Sequence, residues 1–251
     1  MPQPCGAGRP QLVKFREIVN AILYRTRCGC PWELLPHDLP PKSTVYEYYR
    51  KWQSDGTWQS IHDALRVQVR IPAGKKPQAT VGLLDSQSVK TTENCDESGY
   101  DAGKKIKGRK RHLLVDILGL VIVAAVSLAS VQDREGAKLT LASNSETTVK
   151  TVFVDSAYSG KLIDWTKEHH DIDLKVVKRP QGKFEVVHMR WIAERTFGWL
   201  NRYRLLAKEF ETTLESSTAD IQVAMTNLML RRLTKPEKPN YQNEFRLAHL
   251  T

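Results

Sequence analysis

The chain has 251 residues, 41% of them hydrophobic, enough to fill one large domain or two modest ones. Its 38 Lys and Arg against 28 Asp and Glu leave a formal charge of +10, which favours a polyanionic partner such as nucleic acid or an acidic membrane surface. The longest apolar run, LGLVIVAAVSLA, is about half of the ~20 residues that a spanning helix needs, so no membrane-spanning helix is expected.

The first seventy residues read as helical. In QLVKFREIVNAIL, Leu12, Phe15, Ile18, Val19, Ile22 and Leu23 recur at three- and four-residue steps and share one helix face. Next, CGCPWELLPHDLPP is rich in turn formers. Its Cys28 and Cys30 form an isolated C-x-C, Cys5 and Cys95 stand apart, and free thiols are expected rather than a zinc site with His37. A second helix is expected from Ser43 or Thr44, burying Val45, Tyr48, Tyr49 and Trp52, and a third burying Trp58, Ile61, Leu65 and Val69. Residues 1–72 thus read as a small all-α N-terminal domain, either a DNA-end-binding module or a helical cap packed on the remainder of the chain.

IPAGKKPQ supplies a linker at residues 73–78, and beyond it the period changes. TVGLLDSQSV reads as a strand, RKRHLLVDILG and LVIVAAVSLAS as a hairpin through Gly119, KTVFVDSAYS as a fourth strand and DLKVVKR as a fifth. A helix through KLIDWTKEHH separates the last two. Further helices are expected from about Arg190 to Arg204 and in STADIQVAMTNLMLRRL, where Ser217 and Asp220 have capping-box spacing. The fold class is therefore α/β: a mixed five-stranded sheet flanked by helices over residues 79–234, with a polar tail at 235–251.

GLLDSQSVK runs apolar through Leu83 and Leu84 and reads as a strand ending on the charge of Asp85; VFVDSAYSG repeats the pattern with Asp155. Two such strands gather carboxylates at one edge of a sheet, where open α/β folds build their sites. Wound as a helix, MRWIAERTFGWLNRYR puts Arg190, Glu194 and Asn201 within about 40° of one another, opposite Ile192, Trp199, Leu200 and Tyr203. By itself, Glu194 reads as the i,i+4 partner of Arg190. The run at 103–112 gathers Lys104, Lys105, Lys107, Arg109, Lys110 and Arg111, a cluster suited to sequence-independent phosphate binding or to a solvated loop. Asp116 reads as part of a hairpin turn and Asp133 as a helix start.

LLDSQSVKTT, GYDAGKKIKGRKRHLLVDILGL, ASVQDREGA, VFVDSAYSGKL and WIAERTFGWLNRYRLLAKEFE together resemble the DDE transposases of bacterial insertion sequences, in the insertion-sequence-five-like group. The similarity runs from about Arg9 to about Leu233. It implies a ribonuclease-H-like catalytic domain, with Asp85, Asp155 and Glu194 as the catalytic acids. These would hold two divalent ions, Mg²⁺ with Mn²⁺ able to substitute, because hard cations prefer oxygen ligands and can neutralise both the attacking and the leaving oxygen. In the family's division of roles, Asp85 bridges both ions. The signature Y-x2-R-x3-E-x6-K is kept at Arg190 and Glu194, with Val187 at the tyrosine position and Asn201 at the lysine position. Asn201 can hydrogen-bond a phosphate without neutralising it, and Arg202 comes next to supply the charge.

The resemblance further implies double-stranded DNA, transposon ends and target, as partner. A homodimer or higher assembly on that DNA is implied too, in the bacterial cytoplasm at the nucleoid. The expected activity is hydrolysis at terminal inverted repeats and transfer of the freed 3′-hydroxyl to target DNA. The alternatives are a metal-dependent nuclease without strand transfer and a non-catalytic DNA-binding remnant.

Overall fold

Amphipathic periodicity in the first described stretch becomes three helices: α1 (Phe15–Cys28), α2 (Lys42–Ser54) and α3 (Thr57–Arg70). The computed structural model describes residues 13–92, 97–144, 148–177 and 188–234, so Leu12 and the expected tail at 235–251 lie outside the described residues. The expected faces are the buried ones: Ile18, Ile22, Val45, Tyr49, Trp52 and Trp58 are each at most 1% exposed. α1 stops because Gly29 takes a left-handed conformation (φ 72°) and returns its N–H to the Arg25 carbonyl. α2 starts at Lys42, directly after Pro41 and slightly before the expected Ser43.

Among the described residues, six strands form one mixed sheet: β1 (Val81–Lys90), β2 (Gly99–Asp101), β3 (Ile106–Asp116), β4 (Val121–Leu128), β5 (Thr151–Val154) and β6 (Asp173–Val176). β3 pairs antiparallel with β1, β2 and β4, while β1, β5 and β6 run parallel in that order. The sixth strand, β2, is a three-residue addition to the five expected; so short a segment carries no alternation to read.

Side chains alternate between two helical layers. Leu84, Leu114 and Val152 pack with Ala137 and Leu141 of α4 (Asp133–Ala142) and Leu162 of α5 (Leu162–His170). Leu83, Leu113 and Val115 pack on the other face against Phe197 of α6 (His188–Leu200) and Ile221 and Met225 of α7 (Leu214–Thr234). A mixed sheet covered in this way is the ribonuclease-H-like class that the sequence led us to expect.

α6 ends at Leu200, short of Arg204, because Tyr203 leaves helical geometry (ψ 118°) and a 3-10 turn is formed at Arg204–Leu206. α7 corrects the expected cap: Thr213 Oγ1 accepts the Ser216 N–H at 3.2 Å, so Ser217 and Asp220 lie inside the helix. Asp220 faces the N-terminal helices. Tyr49 donates to it at 2.8 Å, and Arg25 reaches both Asp220 (3.5 Å) and Glu211 (2.6 Å). Burial drives the Asp220 carboxyl well above its ordinary range, and Arg25 pulls it part of the way back. Ala219 and Val223 of α7 share the apolar cluster of α1–α3, so α7 packs on the helices as well as on the sheet. The expected linker wraps a side chain: Arg70 donates to the carbonyls of Lys76, Pro77 and Gln78 and pairs with Asp116.

Candidate active site

β1 does not end on Asp85 as expected; it continues to Lys90, because β3 keeps pairing with it through Asp85↔Leu113, Ser86↔His112, Gln87↔Arg111 and Ser88↔Lys110. What stops near Asp85 is the parallel ladder with β5, whose last pair is Leu83↔Phe153. β5 itself ends at Val154, and Asp155 caps the next 3-10 turn, accepting the Ala157 N–H at 2.9 Å. The seam between two parallel strands therefore opens with one aspartate on each side. Both carboxylates line a shallow cleft with Leu83, Val154, Val177, Arg190 and Ala193.

α6 crosses this seam and contributes Arg190. Its Nη2 lies 3.9 Å from Asp155 Oδ2 and 3.7 Å from Glu194 Oε1. Glu194 is half exposed, at 53% of its side chain, one turn further along the helix. The structure thus brings Asp85 and Asp155 together and ties Glu194 to Asp155 through one guanidinium. Among the described residues, no three or more His, Cys, Asp or Glu side chains are gathered closely enough to hold a metal ion together. The expected trio is here a pair with a third acid held by an arginine.

Electrostatics distinguish Asp85. Burial pushes its carboxyl up from 3.8 to about 6; the Ser86 N–H, at 2.7 Å, opposes this, and the neighbouring charge of Asp155 adds to it. Beneath Asp85 runs a polar rail absent from the sequence reading. Ser86 Oγ donates to Asp133 Oδ1 at 2.8 Å, Lys110 Nζ lies 3.0 Å from the same oxygen, and Ser88 Oγ donates to Asp101 at 2.6 Å. Asp133 is the helix start expected, at the first turn of α4, and a brace for β1 as well. No motif announces that second role, since it arises from the β1–β3 register.

The basic run divides. Lys104, Lys105 and Lys107 are exposed around the β2–β3 turn. Arg109, Lys110 and Arg111 are buried, which corrects their expected place on a DNA-facing surface. Arg109 donates to the carbonyls of Glu97, Glu211, Thr212 and Thr213 and to Ser217 Oγ. Arg111 reaches the Leu206 carbonyl and Glu209, and Lys110 the Val131 carbonyl. The reason is position: β3 is central and covered on both faces, so its charged residues must find partners inside the protein. Asn201 and Arg202 are exposed just after α6, and Val187 lies outside the described residues. Cys28 and Cys30 are free thiols, with burial pushing that of Cys30 up to about 11.

Residues 76–228 match the family model described as "Transposase DDE domain". Residues 1–62 match a second, described as "Putative transposase of IS4/5 family". No curated protein matches the chain.

Proposed function

From a chain that belongs to the IS4/IS5-like DDE transposases, a family of enzymes that act on nucleic acid, we propose a full transposition activity. In this reading the protein binds the terminal inverted repeats of its own element and hydrolyses phosphodiester bonds there. It then transfers the 3′-hydroxyl to target DNA. The observation that carries the proposal is the opened β1–β5 seam with Asp85 and Asp155 on its two sides.

The donors at the seam are hard oxygens, which suit a divalent cation such as Mg²⁺, with Mn²⁺ as substitute. Asp85 and Asp155 would hold it, and Glu194 is the proposed third ligand. When bound, such cations supply charge neutralisation at the attacking and leaving oxygens. The protein's own contribution begins with Asp85, whose buried charge is disfavoured until a cation or proton meets it. Arg190 separates the like charges of Asp155 and Glu194 and presents a fork that suits a phosphate. Lys104, Lys105 and Lys107, with Asn201 and Arg202, are the proposed contacts to double-stranded DNA. Two ends must be handled together, so a homodimer or higher assembly on DNA is part of the proposal. So is a cytoplasmic location at the nucleoid; no helix among the described residues is long and apolar enough to cross a membrane.

The test is incubation of the purified protein with the flanking ends of its element and Mg²⁺ or Mn²⁺. Joined molecules support transposition, and nicks alone select a nuclease without strand transfer. A second reading, a DNA-binding remnant, draws on Glu194 standing apart from the aspartate pair. Binding with no metal-dependent cleavage would select it.

A further inference from the structure

α6 carries a second chemistry beside the cleft. Arg195, next in sequence to Glu194, has its guanidinium 4.5 Å from the ring centre of Trp191 and 4.7 Å from that of Trp199. Arg232, near the end of α7, lies 4.4 Å over the same Trp199, and Arg27 of α1 lies 5.4 Å over Tyr203. Arg27 also donates to the Arg202 carbonyl at 3.1 Å. Between these groups is a hollow of about 260 Å³ whose cationic lining is Arg27, Arg202, Arg231 and Arg232. We propose that Arg27, Arg195, Arg202, Arg231 and Arg232 form a docking track for the phosphate backbone of duplex DNA, separate from the cleft.

Three observations carry this. First, among the described residues none of the five lies within ion-pair distance of a carboxylate, whereas the buried Arg25, Arg70 and Arg111 each have one. The acid that acts electrostatically on Arg195 and Arg232 is Asp116, and it is already occupied by Arg70 and by the N–H groups of Leu118 and Leu120. Second, like charges are crowded: burial lowers the pKa of Arg232, and the adjacent Arg195 lowers it further. Third, Arg27, Arg202 and Arg231 are exposed, so their charges are open to a large anionic partner. Stacking on indole and phenol rings fixes the guanidinium planes of Arg27, Arg195 and Arg232; Arg195 Nη2 donates to the Leu118 carbonyl at 3.2 Å and Arg27 Nη1 to that of Arg202, and the cationic groups stay without a carboxylate, a setting suited to phosphate oxygens. A series of cations spread over three helices matches a repeating anion better than a single acidic group.

The inference rests on DNA being the partner. It adds that α6 registers the duplex, because one rigid helix carries both Arg195 on the track and Arg190 and Glu194 at the cleft. The test measures binding of a random-sequence duplex to the full chain in EDTA, across a salt series, for wild type and for Arg195→Gln/Arg231→Gln/Arg232→Gln. The slope of log affinity against log salt should fall by about 2–3, since each phosphate left unneutralised removes ~0.9, with all sequences weakened alike. An unchanged slope, or a loss confined to one sequence, overturns the track. Thermal melting checks the fold; if the triple variant does not fold, Arg231→Gln, at an exposed position, should still reduce the slope by about 1. No step needs cleavage. A reduced slope in a chain that never cuts DNA would sink the transposition reading and leave the track standing, and active cleavage with an unchanged slope would do the reverse.

Discussion

Asp85→Asn isolates the tension at the seam. The folded-state pKa of Asp85, about 6, lies above its ordinary 3.8. The native state therefore holds that proton more tightly than the unfolded chain does. The resulting stabilisation is complete below pH 3.8 and is lost as pH rises to about 6, beyond which the native protein carries a buried charge. At ~1.4 kcal/mol per tenfold, this displacement corresponds to at most about 3 kcal/mol. Asparagine keeps the shape, and its Oδ1 can still accept the Ser86 N–H, but it stays neutral. In EDTA the variant should match wild type near pH 4 and exceed it by up to about 3 kcal/mol at pH 8. In a chain of this length that amounts to at most roughly 6–12 °C in melting temperature. Differential scanning fluorimetry at both pH values reads the effect directly. Mg²⁺ should then raise the melting temperature of wild type and leave the variant unmoved. A variant no more stable than wild type at pH 8, or offset equally at both pH values, would refute the reasoning.

Asp155→Asn and Glu194→Gln should each lower metal-dependent cleavage on the order of 10²–10³-fold, the range for losing one charge-stabilising group, while DNA binding in EDTA persists; near-normal cleavage removes that residue from the site. Replacing Lys104, Lys105 and Lys107 together with Gln should weaken binding to all sequences alike and flatten its salt dependence by about 0.9 for each phosphate left unneutralised, and a sequence-selective loss would contradict their role. Arg70→Met strands Asp116, which is 0% exposed, and should cost about 3–5 kcal/mol in urea denaturation. Adding Asp116→Asn should recover part of that loss, and a cost under about 1 kcal/mol would show that the pair is dispensable.

The sequence was most legible where apolar spacing had one explanation. α1–α3, the hairpin at Gly119 and the exit of β5 at Asp155 can be read from it directly, whereas Asp85 lies within β1. It misled where polar residues sit in covered strands. The SQSVK half of β1 and the RKRH start of β3 look like solvent-facing chain, yet they lie against each other, Gln87 opposite Arg111 and Ser88 opposite Lys110. Their solvation is replaced by partners remote in sequence, such as Glu209 and Asp133, so nothing local announces burial. Ser217 and Asp220 have the spacing of a cap but serve as interior partners, Ser217 for Arg109 and Asp220 for Arg25 and Tyr49. At the site, spacing named Asp85 and Asp155 correctly as neighbours across a sheet edge. It could not foresee Arg190 standing between Asp155 and Glu194, because that depends on how α6 lies over the seam.

The clasp of Arg25 and Tyr49 on Asp220 restricts how such chains can be recombined. Both ends of the polypeptide share one buried carboxylate, so an ancestor that traded its first helices for those of a divergent cousin would bring a mismatched lock to α7. Viable hybrids must inherit the two segments jointly. Residue 25 and residue 220 are therefore expected to co-vary among relatives, although they are 195 positions apart in the sequence.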